Sequence, residues 1–348
     1  MSIPNPKSPP LRAPRAARIL GTGAALPEEA VLSAELDRRL GLAAGTVEKK
    51  TGVRVRYFET RRSAAALGAE AAERALADAG LSFSDIDCLV AASGTPDQAM
   101  PSNAALIHRE MASGESPIPA FDIGASCLGF LAALDTMTCL IEAGRYQRVL
   151  IVASDIASCG LDWSKLEASG IFGDGAAAAV LGPAVDSGLG GDSGSALLAS
   201  ALVTYSEGVH FCEIPGGGSR HHPSRTDEPV LPLSRFRMDG KAVFRLAAKH
   251  LPGFLANLLA TAGVGLDEIS VVVPHQASRH GLDYLRRQLG VERERIVDLF
   301  AGQGNQVAAS LPSALDAAIR TGRLRRGETA LLIGSGAGMC LGGAVLRY

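Results

Sequence analysis

The sequence predicts an α/β protein assembled in layers from two related halves. Apolar runs of strand length alternate with helical patterns along the whole chain, which argues for mainly parallel sheets covered by helices. At 348 residues the chain is also too long for one simple core. In addition, VLIVAS followed by GDGAAAAVLG in the first half is echoed by ALLIGS followed by GAGMCLGGAVL in the second. Each is a strand, a Gly-rich turn and a terminal hairpin-like strand, a faint sign of duplication.

Residues 1–16 are Pro- and Arg-rich and lack an apolar stretch. They are expected to form a disordered tail rather than a secretory signal, and their Arg-rich, acid-free character leaves a transit peptide open. A strand over 18–21 opens the first half, 17–185, and a Gly/Pro turn follows over 23–27. Helical patterns cover 33–50 and 63–80, the second closing on Gly80 as a left-handed C-cap. Residues 86–92 read as a strand and 102–112 as a helix. A buried strand over 118–123 leads into an apolar helix over 127–143, and strands over 148–154 and 176–181 complete the half.

A Gly/Ser-rich connector, 186–195, begins the second half, 186–348. A strand over 197–206 precedes a long polar loop, 213–238, and a helix over 240–262. Then come strand 269–273, helix 278–289, strand 295–299, helix 306–321 and strands 329–334 and 341–347.

Composition narrows the function classes. Hydrophobic residues at 47% against 20% charged fit a soluble, well-buried protein. A formal net charge of −2 gives no reason to expect a nucleic-acid partner. No apolar run approaches the roughly 20 residues of a spanning helix, so no membrane partner is expected either. The six cysteines are scattered without a CxxC pair, which argues against a zinc knuckle or disulfide scaffold and for a reducing, cytoplasmic setting.

Cys127 lies in PAFDIGASCLGFLAALDTM, where a strand breaks at Gly124 and a helix begins near Ser126. That helix is apolar nearly all round, through Leu128, Phe130, Leu131, Leu134, Met137, Leu140 and Ile141, and should be central and buried. A thiol at its N-terminus would face unpaired N–H groups and the positive end of the dipole, both of which favour thiolate. The alternative is an inert core cysteine, the reading given to Cys88, Cys139, Cys159, Cys212 and Cys340.

His275, in ISVVVPHQAS, is delivered at the C-terminal edge of a strand ending at Pro274, the edge where α/β sheets bind ligands. Asn305, in AGQGNQVAASLPSAL, lies in a strand-to-helix loop and on its own reads first as a helix N-cap. The Gly-rich turns at 173–175 and 334–338 match no phosphate loop, but glycine there would let a backbone N–H approach an oxyanion. His108 and His250 fall in helical stretches. The pair His221 and His222 lacks metal-ligand spacing, so no metal is expected.

Taken together, these segments resemble the β-ketoacyl-acyl carrier protein synthase III family of thiolase-superfamily condensing enzymes. The matching stretches are KKTGVR, the segment around MPSNAA, FDIGASCLGF, IFGDGAAAAVL, VPHQAS, GQGNQVAASLPSALDAAI and GSGAGMCLGGAVLRY, in the family's order across 17–348. The resemblance implies a thiolase-like five-layered α-β-α-β-α fold from two duplicated halves, in a homodimer. It also implies that Cys127, His275 and Asn305 are catalytic.

In the implied reaction Cys127 takes an acyl group from an acyl-CoA or acyl carrier protein thioester. The N–H groups of Cys127 and Ala337 would form the oxyanion hole. His275 Nε2 and the Asn305 amide would then stabilise the enolate of a decarboxylating malonyl-carrier protein. Metal and redox cofactors are not called for, because CoA or phosphopantetheine thioesters are the substrates. By the same resemblance Met100, Lys50, Phe172, Phe244, Gly336 and Gly338 would contact substrate, Met100 by capping the acyl pocket of the neighbouring subunit.

Several positions depart from the family pattern. Thr46 stands where an aromatic residue often stacks on the CoA adenine, and Lys50 where an Arg often meets its phosphates. Around Leu166 the usual Asp-Arg pair is missing, leaving Trp163, Ser164 and Lys165 nearby. Ser278 replaces the Asn of HQAN, and Gln303 a common His or aromatic residue. The related head-to-head enzymes of olefin synthesis carry a Glu at the position of Met100, which argues against their reaction here.

Three other readings stay open: an acyltransferase of specialised metabolism that does not decarboxylate, a cysteine thioester hydrolase, and a non-catalytic acyl-carrier-binding homologue. Arg245, Lys249, Arg279, Arg286 and Arg287 are candidates for a carrier-protein docking face or an ordinary solvated helix face.

Overall fold

Two sheets frame the molecule, and the chain builds them with the same strand scheme. The computed structural model describes residues 14–112, 117–186, 190–191 and 194–348. The first half runs β1 (Ala17–Ala25), β2 (Glu29–Leu32), α1 (Ser33–Arg39), α2 (Thr46–Thr51), β3 (Val55–Phe58), α3 (Ala64–Ala79), β4 (Cys88–Ala91) and α4 (Asn103–Ala112). It continues through β5 (Ala120–Asp122), α5 (Gly129–Glu142), β6 (Val149–Asp155), α6 (Leu166–Ser169) and β7 (Gly175–Pro183) to the small β8 (Val185–Asp186) and β9 (Gly190–Gly191).

The second half begins with β10 (Ala196–Thr204), β11 (Cys212–Glu213), α7 (Val230–Leu233), β12 (Arg237–Met238) and α8 (Gly240–Ala262). After β13 (Ile269–Pro274) come α9 (Arg279–Leu289), α10 (Phe300–Gln303), α11 (Ser310–Arg320), β14 (Thr329–Gly336) and β15 (Cys340–Arg347).

The first sheet has the order β1-β7-β6-β4-β5 and the second β10-β15-β14-β13. In the first, β1–β7 and β6–β7 are antiparallel while β4–β6 and β4–β5 are parallel. In the second, β10–β15 and β14–β15 are antiparallel and β13–β14 is parallel. The expectation of mainly parallel sheets is therefore corrected. In each half the closing strand runs back between the first strand and its predecessor, making two antiparallel pairs at once.

Helices complete five layers. α3 and α4 cover the outer face of the first sheet, where Leu67, Ala71, Ala75 and Ile107 meet Leu89, Leu150 and Val180. α5 and α11 fill the space between the sheets, with Phe130, Leu131, Met137, Leu311 and Leu315 against Ile151, Val273 and Leu332. α8 and α9 cover the far face, through Phe254, Leu258, Leu285 and Leu289 on Val272, Leu331 and Val345. Each fully buried Leu or Phe of the middle layer contributes roughly 1.5–3 kcal/mol, so the two central helices are the most strongly anchored.

Other departures have local causes. The helical pattern over 33–50 breaks into α1 and α2 because Gly41 and Gly45 take left-handed φ of 66° and 81°. The Asp37 carboxylate then accepts from Gly45 N and Val47 N at 2.7 and 2.8 Å, fixing the break. The expected strand at 295–299 shrinks to a single bridge between Val272 and Ile296, since Arg293–Arg295 coils into a 3-10 turn. The expected buried strand at 118–123 is a three-residue, half-exposed edge strand. The β2–β3 hairpin has strands of only four residues and left no clear periodicity in the sequence.

Arg15 corrects the expected limit of the tail. It is 3% exposed, its backbone bridges Leu197, and its guanidinium meets Asp135, Cys139 and Ser200. Ordered chain thus begins before residue 17; residues 1–13 lie outside the described residues.

Candidate active site

The two central helices start at the same level of the sandwich, and both starts are distorted. Cys127 lies in a 3-10 turn, Ser126–Leu128, that feeds α5, and Ser126 takes φ 49°. The turn approaches β4 so closely that a Cβ on Gly129 would sit 2.2 Å from the Ala92 carbonyl oxygen, which only glycine tolerates. In the second half a matching 3-10 turn, Val307–Ala309, feeds α11, and Val307 takes φ 53°. Left-handed backbone at non-glycine residues is strained, and such strain gathers at functional sites.

The Cys127 thiol shares an apolar cluster with Phe172, Leu161, Val307 and Phe300. The backbone N–H groups of Ala337 and of Cys127 itself lie near enough to the sulfur to favour its charged form. Burial nevertheless pushes the thiol up to about 12, helped by the nearby Cys212 and Asp155, against the pull of those two N–H groups. This runs against the expected preference for thiolate: desolvation outweighs the helix-end field.

His275 follows the last residue of β13 and is 4% exposed. Its backbone N–H donates to Ile333 O at 2.8 Å, tying it to β14. Burial lowers the imidazole to about 4, so it is neutral at neutral pH. Gln276 braces the turn: its Nε2 donates to Pro274 O and Val297 O at 2.8 and 3.1 Å, and its Oε1 accepts from Leu299 N at 2.9 Å.

Asn305 is 5% exposed and its backbone pairs with Phe172 across the two halves. Its Oδ1 accepts from Val307 N at 2.9 Å and from Ser310 Oγ at 3.4 Å. Asn305 is not the N-cap it first reads as, since Gln306 and Ala309 precede the turn and the helix; its oxygen instead braces the loop and leaves the amide nitrogen to spare. The amide Nδ2 has one long contact, 3.5 Å to Ala277 O, two residues beyond His275. Cys127, His275 and Asn305 are therefore brought together from three separate segments.

The remaining expected residues scatter. Phe172 is 5% exposed and packs edge-on against Phe236 at 4.8 Å between ring centroids, within the Cys127 cluster. Gly336 ends β14 against Leu128, and Gly338, with φ 80°, makes the turn that presents Ala337. Phe244 is half-exposed at the start of α8, edge-on to Tyr284. Lys50 stands on α2, 3.7 Å from Glu167, with both side chains largely in solvent. Met100 is 83% exposed on the loop before α4. Trp163 leans on Phe58 at 6.2 Å.

Two buried carboxylates escaped the sequence reading. Asp155 ends β6 and Asp174 follows Gly173; both are fully buried, and burial raises each to about 6. Asp174 accepts from Glu59 N and from Ser158 N and Oγ. The available signal was an acid closing the otherwise apolar run VLIVASD. A surface cleft of about 450 Å³ lies alongside, lined by Gly52, Arg279, Arg286, Arg293, Asp298 and Phe300; Cys127, His275 and Asn305 do not line it.

The five layers and the paired helix starts put the chain among thiolase-like acyl-transferring enzymes. Residues 121–205 match the family profile described as 3-oxoacyl-(acyl-carrier-protein) synthase III, and residues 259–348 match its C-terminal counterpart. A β-ketoacyl-(acyl-carrier-protein) synthase III of Rhizorhabdus wittichii is 36% identical over 337 residues, covering 96% of this chain and 100% of the relative. The crystal structure of the synthase III of Pseudomonas aeruginosa superposes with a TM-score of 0.83 at 34% identity, over 96% of this chain and 98% of that one. A priming β-ketosynthase of a polyketide biosynthetic pathway gives 0.83 at 29% identity, over 97% and 98%.

This chain belongs to the 3-oxoacyl-(acyl-carrier-protein) synthase III family, as its motifs implied, and is an acyltransferase of the condensing type.

Proposed function

We propose that the enzyme condenses an acyl group, held on Cys127, with a malonyl thioester carried by acyl carrier protein. The observation that carries this reading is a buried neutral histidine and an amide with little else to bond, together with a thiol at a helix start beside the Ala337 N–H.

In the first half-reaction Cys127 sulfur attacks the carbonyl of an acyl thioester. The oxyanion that forms sits against the Cys127 and Ala337 N–H groups, a kind of donor worth about 2.7–4 kcal/mol each. The donor's carbon–sulfur bond breaks, and the proton given up by Cys127 ends on the departing thiol.

In the second, malonyl thioester loses carbon dioxide, and the electrons of the broken carbon–carbon bond form an enolate. His275 and Asn305 donate hydrogen bonds to its oxygen. His275 Nδ1 is buried without a partner among the described residues. A proton there would be an orphaned donor, so it belongs on Nε2. The enolate carbon attacks the acyl-cysteine, Cys127 leaves as thiolate, and a β-ketoacyl thioester results.

The altered rim, with Thr46 and Lys50 on α2, favours a carrier-bound or unusual CoA donor. Arg279 and Arg286 border the 450 Å³ cleft and, with Arg245, Lys249 and Arg287, offer a basic approach for an acidic carrier protein. The exposed apolar Met100 favours a homodimer, in which it would enter the partner's acyl pocket. The scattered free cysteines favour a reducing, cytoplasmic setting.

Intact-protein mass spectrometry tests the reading. The protein is incubated with a panel of acyl-CoAs and acyl-carrier proteins, then with malonyl-carrier protein. An acyl adduct that malonyl-carrier protein clears into a β-ketoacyl product is expected. Clearance by water, or by another nucleophile without loss of carbon dioxide, would instead establish the hydrolase or the non-decarboxylating transferase.

A further inference from the structure

Asp155 stands outside the residues that the reaction uses directly, yet both halves of the site converge on it. It is fully buried at the end of β6. Its Oδ1 accepts from Gly94 N, Thr95 N and Thr95 Oγ1 at 2.7, 2.7 and 2.9 Å, all in the loop after β4. Its Oδ2 accepts from Ala308 N and Ala309 N at 3.0 and 3.2 Å, in the turn that starts α11. One carboxylate thus joins a loop of the first half to a turn of the second.

That turn carries Asn305. Val307, held at φ 53°, donates its N–H to Asn305 Oδ1, and the next two N–H groups are the ones that Asp155 binds. The Gly94 loop is pressed into the same place. A Cβ on Gly94 would lie 2.6 Å from Val307 Cγ1, 3.4 Å from the Ser126 carbonyl carbon and 3.5 Å from Asp155 Oδ1. The strained residues on either side of the site, Ser126 next to Cys127 and Val307 two residues after Asn305, therefore both border Gly94, whose N–H this carboxylate binds.

We propose that Asp155 is a positioning residue for the condensation step, fixing Asn305 relative to Cys127 by dividing its two oxygens between the Gly94–Thr95 loop and the Ala308–Ala309 turn. A buried carboxylate is costly unless donors surround it, and here five do. Its charge opposes ionisation of Cys127, so it does nothing for acylation. Its benefit falls on the step that uses Asn305. The inference rests on the proposed condensation, and its test is arranged to fail separately.

The test uses Asp155→Asn in the full chain. The substitution keeps the shape but replaces one acceptor oxygen with a donor that faces other donors, so one of the two connections is lost. Acylation of Cys127, read by mass, is expected at the wild-type rate or faster, because a neutral side chain no longer opposes ionisation of the thiol. Condensation kcat is expected to fall on the order of 100-fold, the effect of misplacing a catalytic group by about 1 Å, with KM for malonyl-carrier protein changed far less. Hydrogen exchange, which needs no substrate, should show protection falling at Ala308 and Ala309 or at Gly94 and Thr95, while the amides of α5 stay protected.

Thr95→Val serves if the first variant does not fold. It removes only the hydroxyl bond and should slow condensation about two- to tenfold without slowing acylation. Condensation at the wild-type rate in either folded variant, or equal losses in both half-reactions, overturns the proposal. A wild-type enzyme that acylates but never condenses sinks the proposed function instead, and the exchange data then decide whether Asp155 joins the two segments.

Discussion

The two halves of the chain share a strand scheme but hold opposite chemical roles. In both, a parallel pair precedes an antiparallel closing strand, and a distorted 3-10 turn feeds a central helix. The first half places a thiol at that turn, in apolar surroundings that keep it protonated. The second places an amide there and a neutral imidazole at the end of the neighbouring strand. One scaffold thus yields a nucleophile on one side and hydrogen-bond donors on the other. A duplicated frame fixes where groups stand, and what each does is set by a few side chains and their desolvation.

Separate roles for the halves should give separable losses. Cys127→Ala is expected to abolish the acyl adduct and to lower condensation by about a thousandfold or more. A persisting adduct on the variant would place the nucleophile elsewhere. His275→Ala and Asn305→Ala should each leave acylation intact while slowing decarboxylative condensation about 100- to 1000-fold, the usual cost of an oxyanion donor. If either variant loses acylation first, the division between the halves is wrong.

The thiol's environment gives a third test. With burial holding Cys127 near 12, its thiolate fraction rises about tenfold per pH unit below that value. Iodoacetamide alkylation of the free enzyme should therefore keep accelerating through pH 9, and a plateau near pH 7 would show that the helix-end field prevails after all.

A smaller effect is expected from Gly129→Ala. Its methyl group would press on Ala92 O, backbone that cannot swing aside as a side chain can, so the cost is about 3 kcal/mol or more and Tm falls by several degrees. The smallest belongs to Lys50→Ala. The solvent-exposed pair with Glu167 contributes at most a fraction of a kcal/mol, so Tm should not move. A rise in KM confined to CoA donors would then mark Lys50 as a contact to their phosphates.

Much of this arrangement was legible because it is local or periodic. α8 matches its expected span of 240–262 residue for residue, since Asp239 caps one end and Gly263, at φ 68°, closes the other. Cys127, His275 and Asn305 were legible as motifs, each in a junction between regular elements. Their meeting was not, because it depends on register between segments roughly 150 residues apart. Asp155 was hidden for the same reason: its five donors come from residues 94–95 and 308–309. Sheet direction was misjudged although the hairpin-like closing strands were legible, because β7 and β15 each pair antiparallel on a second side as well, with β1 and β10 from far along the chain. The ionisation of Cys127 was misjudged because the burial that the apolar helix implied was not weighed against the field of the helix end, and desolvation is the larger effect.

The neutrality of His275 bears on how the protein would tolerate an acidifying environment. Its ring stays unprotonated until pH falls to about 4, whereas Asp155 and Asp174 begin to take up protons near 6. Protonating these two favours the folded chain, whose carboxyls bind protons more tightly than the usual value near 3.9; protonating His275 disfavours it. Between about pH 6.5 and 4 the unfolded chain protonates this histidine and the folded chain does not, a loss of stability that proton uptake by the two buried carboxyls offsets. The same uptake weakens the Asp155 acceptors shared by the two halves. The first thing acid takes from such an enzyme is alignment, and its acid limit is written in the scaffold rather than in the residue that touches the substrate.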